Sequence, residues 1–585
     1  MIVVGVSAFY HDSAVAVVQD GRLVAAAQEE RFTRRRYDRD VPLYAYRSCL
    51  DEAGIGPADV DCLAYYENPV RKLSRQLWME LPGMGAGDGP AHVLDASHPE
   101  RQIRERLGYD GRFLAVEHHE AHAASAFYCS GYREAALFTA DAVGEWTTTS
   151  YGAGDDDGIR LLEDVPFPHS LGLLYSALTS YLGFSVNSDE YKVMGLASYG
   201  RPRYRSALDQ VVSSGPGGQF RLDTRYLAPQ AGGRLYTPEL AELLGVPPRA
   251  PGGDLTPAHR DLASSVQSLL EELLLEKLDH LYQLRPSDNL CYAGGVALNC
   301  VANTRLRRRA KFRDWFVPPA PGDAGSAAGA ALLVHHRLTG TRRLARLTDA
   351  RLGPAHRGTV LAEVLTAAGV EYQDFTGREP ELLDRVAELL AGGAIVGWHQ
   401  GRMEFGPRAL GGRSILADPR DPGMRDRINR LVKKREEFRP FAPAVVAERA
   451  ADFFDLDVPS PFMLETVAVR AGTALPAITH VDGSARVQTV DRHVDPRFHR
   501  LLIRFGELTG TPLLLNTSFN VAGEPIVCDE VDALSCFVRA GVDALAVGDL
   551  LVRREAVPPV WSRHLSRSAG PRRVDTHNDS YTFFV

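Results

Sequence analysis

Apolar positions along the chain fall into short runs and longer helical stripes, and the runs lay out the plan of the fold. Ile2–Val6, Ser13–Val18 and Leu23–Gln28 read as buried strands, with Asp20-Gly21 turning the last two into a hairpin. The layout returns at Glu134–Ala140, Trp146–Gly152 and Ile159–Leu162, with turns at Asp141–Gly144 and Gly154–Gly158. A strand-turn-hairpin unit is therefore repeated. Further on, Glu379–Leu390 has helical periodicity, and Ala394–Trp398, Ala442–Val446, Arg486–Val490, Pro512–Leu515 and Ala544–Val547 read as strands, so a second α/β domain follows. Between them Thr339–Arg357 turns basic and loses its periodicity, as a linker does, which divides the chain into domains 1–345 and 346–585.

Polar residues punctuate this plan. His118 and His122 are four apart on an Ala-rich helical stretch, so they share one face and can hold one ion. Asp141 follows the strand Glu134–Ala140, at the carboxyl end where open α/β sheets place ligand chemistry. Asp323, in the Gly-flanked turn of PPAPGDAGSAAGA, is the second candidate carboxylate. Two imidazoles with carboxylates suit Fe(II), Mn(II) or Zn(II). The bland alternative is a surface helix whose histidines are merely solvated. His11 and Asp12 follow the first strand as Asp141 follows its counterpart. They are candidates to take a proton, His11 first and Asp12 as its rival.

Several Gly-rich or cationic stretches invite phosphates. Lys192 lies in SDEYKVMGLASYG, and Gly294-Gly295 end a strand before a helix opens, where nucleotide could sit against backbone amides. In the second domain, Arg408, Arg413, Lys433, Arg435 and Arg439 stand in turns beside apolar anchors, and Ser518 and Asn520 are separated by one residue after a strand. Arginine forks suit bidentate phosphate and carboxylate recognition. A salt-bridged surface is the competing account. Met79–Pro90 and Tyr226–Asp254, rich in Gly and Pro, read as loops that could line an acceptor pocket.

Composition narrows the picture. At 585 residues the chain exceeds one core, and a net charge of −8 argues against a generic nucleic-acid coat. The seven cysteines form no CxxC and read as reduced core residues. No apolar run approaches membrane-spanning length and the first residues lack a signal-peptide pattern, so a cytoplasmic protein without membrane contact is expected.

HHEAHAASAF, YKVMGLASYG, AGGVALN, PGDAGSAAGAA, FGPRALGGRSILADPR, EEFRPFAPAV and LNTSFNVAGEPIV occur in one order along the chain. In these motifs it resembles the NodU/CmcH O-carbamoyltransferases. The resemblance implies a duplicated actin-like first domain, akin to TsaD threonylcarbamoyl transferases, and a YrdC-like second domain. Carbamoyl phosphate and ATP, the latter with Mg(II), would give carbamoyl adenylate in the second domain, and the first would transfer the carbamoyl group to a small-molecule alcohol, glycosylated or polyketide. By the same resemblance His118, His122, Asp141 and Asp323 would hold the metal, Fe(II) first, with Mn(II) or Zn(II) open. Arg36, Gly144, Lys192, Gly294, Gly295 and Asn299 would bind the adenylate in the first domain. Carbamoyl phosphate and ATP would meet Arg408, Arg413, Lys433, Arg435, Arg439, Arg486, Asn516, Ser518 and Asn520. The family usually follows EERF with a segment ending in Lys-His, where this chain has Arg36 and Tyr37. Other readings are a tRNA-modifying threonylcarbamoyl-type enzyme and an actin-like nucleotide switch. No nucleic acid is expected as partner, and a homodimer stays open.

Overall fold

A computed structural model describes residues 1–80, 95–228, 234–356, 358–433, 436 and 438–568. Arg435, most of the Met79–Pro90 stretch and part of the Tyr226–Asp254 stretch lie outside the described residues. The described chain forms two compact units. The first comprises Met1–Glu29 and Tyr37–Leu347, and the second Glu30–Arg36 with the chain from Thr348 onward. Arg36 thus belongs to the second unit.

In the first unit, β1 (Ile2–Ser7), β2 (Ala14–Gln19), β3 (Arg22–Gln28), β4 (Cys62–Tyr65) and β5 (Arg112–Ala115) form a sheet of order β3-β2-β1-β4-β5. A second sheet contains β6 (Ala135–Ala140), β7 (Thr147–Asp155) and β8 (Gly158–Pro166), while β9 (Val212–Ser214) and β10 (Phe220–Leu222) pair separately. With β11 (Asn289–Ala293) and β12 (Asp314–Phe316) its order is β8-β7-β6-β11-β12. In both sheets the first three strands are antiparallel and the last two add in parallel. The repeat expected from the apolar pattern is present, strand for strand.

Small residues decide how helices meet these sheets. The helix Asp323–Thr339 lies against β1, β2 and the helix His118–Ser130. A methyl group at Gly5 would overlap the Ala327 carbonyl, and one at Gly329 would overlap the Ala121 carbonyl. Backbone therefore packs on backbone at both contacts, which brings Asp323, at the start of one helix, to the histidines at the start of the other.

The second unit holds β13 (Arg351–Ala355), β14 (Gln373–Asp374), β15 (Val396–His399), β16 (Arg402–Glu404), β17 (Arg413–Ala417), β18 (Ala442–Val446), β19 (Val467–Ala468), β20 (Ser484–Ala485), β21 (Gln488–Val490), β22 (Leu513–Ser518), β23 (Ala544–Val547) and β24 (Leu550–Arg553). Its main sheet is mixed, with the order β14-β24-β23-β15-β17-β22-β18-β21. The helices Glu379–Ala391 and Pro496–Thr509 cover one face through Leu382, Val386, Leu501 and Phe505. Two local expectations change. The supposed linker contains a strand, β13, which pairs with β16. Strand β22 does not stop at Leu515 but carries Asn516 and Ser518 within it, because Asn516 and Ser518 pair with Leu416 and Ser414 of β17.

Candidate functional site

In the first unit the helix His118–Ser130 begins at Glu117, whose side chain and that of Glu120 close a capping box. Glu145 also accepts from the His118 amide at 3.0 Å and the Asn68 amide at 2.6 Å. This buried carboxylate fixes the first turn, which carries His118, with His122 on the next. One helical turn separates them, so His118 Nε2 and His122 Nε2 stand 3.0 Å apart. Asp141 Oδ2 lies 3.3 and 2.8 Å from these nitrogens, and Asp323 Oδ1 3.8 and 3.6 Å. All four residues are buried, and one ligand atom from each falls within 4.8 Å of the others. A buried His2Asp2 group could thus hold a metal. Its chemistry fits a cation, since two imidazole nitrogens and two carboxylate oxygens of one small space face one another.

The surroundings orient the donors. Ser326 Oγ sits 3.1 Å from His122 Nδ1, so Nδ1 can carry the hydrogen and leave the Nε2 lone pair to the cluster. The Asp141 carboxylate takes the Ala142 amide at 2.8 Å through its other oxygen. Burial opposes charge on His122, but Asp141 and Asp323 outweigh it and lift its pKa to about 9. Burial likewise opposes charge on Asp141, yet the two histidines hold it well below the usual carboxylate range. His119 leaves the cluster and bonds Thr139 Oγ1 at 2.6 Å. Ser326 and Glu145 escaped the sequence reading. Ser326 was legible in principle, one turn after Asp323 on the same helix, whereas Glu145 needed the fold.

Next to β1, His11 lies in a strained loop. Its Nε2 is 2.8 Å from the Asn187 carbonyl, which can only accept, and its Nδ1 is 3.4 Å from Asp12 Oδ2. Tyr37 stacks on the imidazole at 4.8 Å between centroids. Phe9, Asp12, Tyr37 and Asn187 all adopt positive φ without being glycine. Such backbone costs of order 1–3 kcal/mol per residue and persists where surroundings over-determine it, often at functional sites. Burial would depress His11, but Asp12 reverses this and raises its pKa to about 10.

The glycines expected at nucleotide are found at the cluster's edge. Side chains at Gly144 and Gly295 would press on His118 and on Asp141 Oδ1 respectively, and Gly294, at φ +98°, would strike the Ala140 carbonyl. Lys192 pairs with Asp189 at 3.0 Å. Asn299 caps the helix Cys300–Arg309 through Ala302 N and exchanges amide bonds with Gln267 at 2.9 and 3.0 Å, so it serves the scaffold.

In the second unit Lys433 ends a short π-helical turn, Asn429–Lys433, and is buried. Its Nζ meets Ser518 Oγ and carbonyl O at 3.1 and 2.6 Å, and Asn520 Oδ1 and carbonyl O at 2.8 and 3.1 Å. The expectation that Ser518 and Asn520 point to one side holds in this contact. Arg439 lies 3.7 Å from Glu436, Arg408 is half-buried, and Arg486 is half-buried with Nε unbonded among the described residues. Arg413 and Asn516 are bonded into the scaffold. Arg413 is fully buried and bonds the carbonyls of Cys528, Gln400, Gly401, Gly412 and Pro354, which leaves no free fork for phosphate. Asn516 donates to the Ala409 carbonyl and to Gln488. From the segment after β3, Arg34 reaches the carbonyls of Pro525 and Ile526 within this same unit.

Comparison with known proteins agrees with these two parts. Residues 2–81 and 102–332 match the family described as Carbamoyltransferase N-terminus, and residues 387–554 match Carbamoyltransferase C-terminus. An uncharacterized protein of Synechocystis is 43% identical, over 95% of this chain and 97% of its own. Nodulation protein NolNO of Sinorhizobium fredii is 38% identical over 95% of this chain and 81% of its own. The 3'-hydroxymethylcephem-O-carbamoyltransferase of Streptomyces clavuligerus is 28% identical over 93% of this chain and 98% of its own. Among the described residues no helix is long and apolar enough to cross a membrane.

Proposed function

The chain belongs to the carbamoyltransferase family, and from that premise we propose that it carries the carbamoyl group of carbamoyl phosphate to a hydroxyl of a small-molecule natural product by way of carbamoyl adenylate. The family match across both parts of the chain carries this reading. The second unit, YrdC-like in this account, performs activation. Water takes the phosphate from carbamoyl phosphate, a carbamate oxygen displaces pyrophosphate from Mg(II)-bound ATP, and carbamoyl adenylate results. Lys433, Ser518, Asn520 and the half-buried Arg408, Arg439 and Arg486 supply the charge and hydrogen bonds for these phosphates.

The first unit, actin-like by its repeated sheets, performs transfer. The acceptor oxygen attacks the carbamoyl carbon, the bond from that carbon to the phosphate oxygen breaks, and AMP leaves. A divalent cation, Fe(II) first and Mn(II) or Zn(II) next, held by His118, His122, Asp141 and Asp323 would supply a Lewis acid for carbonyl or phosphate oxygen. Gly144 and Gly295 keep Cβ atoms out of the space beside those ligands, and Gly294 lets its turn pack on the Ala140 carbonyl, so the adenylate can approach.

The acceptor's proton passes to the His11–Asp12 pair. With Nε2 committed to the Asn187 carbonyl, Nδ1 beside Asp12 is the ring atom where the proton can change, and a pKa of about 10 means that Nδ1 accepts only after its own proton has left, so transfer by this route rises with pH toward 10. Transfer from preformed carbamoyl adenylate in a single-turnover assay tests this. His11→Asn should slow it by about 10²- to 10⁴-fold while pyrophosphate release continues. A rate within about threefold of the parent, ~0.7 kcal/mol in the barrier, would exclude His11 and leave Asp12, checked with Asp12→Asn.

A further inference from the structure

We infer that a cavity of about 350 Å³ in the first unit, bordered by Phe9, Arg39, Lys72, Gln76 and Arg106, is the acceptor site and takes an alcohol that carries a carboxylate. This rests on the carbamoyl-transfer reading above. Its size lies at the lower end of small-molecule sites, about 300–1,000 Å³.

The placement follows from the loop that ends β1. Phe9 borders the cavity and stands two residues before His11. Lys72 Nζ, also on the border, lies 5.5 Å from the centroid of the Tyr10 ring. Burial holds the Tyr10 hydroxyl proton, and the charges of Asp323 and Asp141 add to it. A molecule in the cavity thus lies beside the loop that carries the residues proposed to take its proton.

The charge class follows from which ions are already paired. Lys72 is bound to Glu67 at 2.7 Å, and Asp95, a lining carboxylate, to Arg101 at 2.9 Å. Asp40, the other lining carboxylate, is not without a partner. Arg39 and Arg106 have no carboxylate partner among the described residues, and Arg39 Nη1 is buried without any acceptor. A buried unbonded guanidinium nitrogen costs of order 1–3 kcal/mol, so an oxyanion that draws the Arg39 fork toward the cavity would relieve that cost. Gln76, buried on the same wall, offers an amide to hydroxyls without adding charge.

Saturation-transfer NMR on the full chain, with D-glucuronate and D-gluconate against methyl β-D-glucoside and glycerol as neutral probes, tests the class. The carboxylated probes should bind and the neutral ones bind at least about tenfold more weakly, the worth of one charge-assisted pair. Arg39→Gln and Arg106→Gln should each abolish that preference with melting temperature unchanged. Equal binding of both classes, binding of neither, or an unchanged preference in Arg39→Gln overturns the inference. The oxyanion could instead be a nucleotide phosphate, so the KM for ATP in carbamoyl-phosphate-dependent pyrophosphate release is measured in Arg39→Gln. It should stay within about twofold, and a rise of about tenfold, equivalent to ~1.4 kcal/mol, overturns the acceptor assignment. Absence of that pyrophosphate release in the parent protein would refute the carbamoyl-transfer reading and leave the probe result to stand by itself.

Discussion

At the His118–Asp141 cluster four ligand atoms face one another across a small buried space, whereas around Lys433 one ammonium is enclosed by four oxygen acceptors. The first arrangement is a set of donors converging on one point, with His122 holding a proton between the carboxylates. The second has satisfied itself. An ammonium has three hydrogens, so the four oxygens already exceed its capacity, and a phosphate must displace some of them to reach it. The contrast teaches that the first site needs only to give up a proton, while the second needs a local exchange of partners.

The largest effect should come from breaking the converging set. His122→Ala removes a ligand that touches both carboxylates. We expect cation loss by elemental analysis and transfer slowed by about 10³-fold or more, with pyrophosphate release retained. Full occupancy in the variant would take His122 off the ligand set.

The enclosed cation gives a smaller and separable loss. Lys433→Ala should reduce pyrophosphate exchange by about 10²- to 10³-fold, the worth of a charge aimed at a transferring phosphoryl group, and Ser518→Ala should reduce it less. Product formation should return when preformed carbamoyl adenylate is supplied. Unaffected exchange in both variants would remove activation from this unit.

Acidity sharpens the difference. Burial resists the imidazolium of His122, but Asp141 and Asp323 bring its pKa to about 9, so a proton must leave before a cation binds Nε2. Affinity should therefore rise with pH up to about 9, and below that fall by about tenfold per pH unit for each proton released. Competitive titration with a chelator between pH 6 and 8 measures the slope. A flat profile would mean that the ion displaces no proton from His122.

The smallest effect separates scaffold from site. Asn299→Ala should cost about 1 kcal/mol of stability through the lost helix cap, with transfer from carbamoyl adenylate little changed. A large transfer defect at normal stability would return Asn299 to the ligands of the nucleotide.

The sequence by itself determined the repeated strand-turn-hairpin plan, because a period of two and its turn residues are local properties. It also determined that His118 and His122 act together, since one helical turn joins them. Ser518 and Asn520 were likewise legible as neighbours on one side. What only tertiary structure decided is which distant polar atoms are spent. Arg413 and Arg408 look alike in FGPRALGGRS, yet Arg413 is buried among carbonyls brought from Pro354, Gln400 and Cys528. Asp323 joins the histidines because Gly329 admits the Ala121 carbonyl, a contact between residues more than two hundred positions apart. Hydrogen-bond capacity is finite and is allotted in space, so residue type states what a side chain can bind, and packing decides whether anything is left to bind it with.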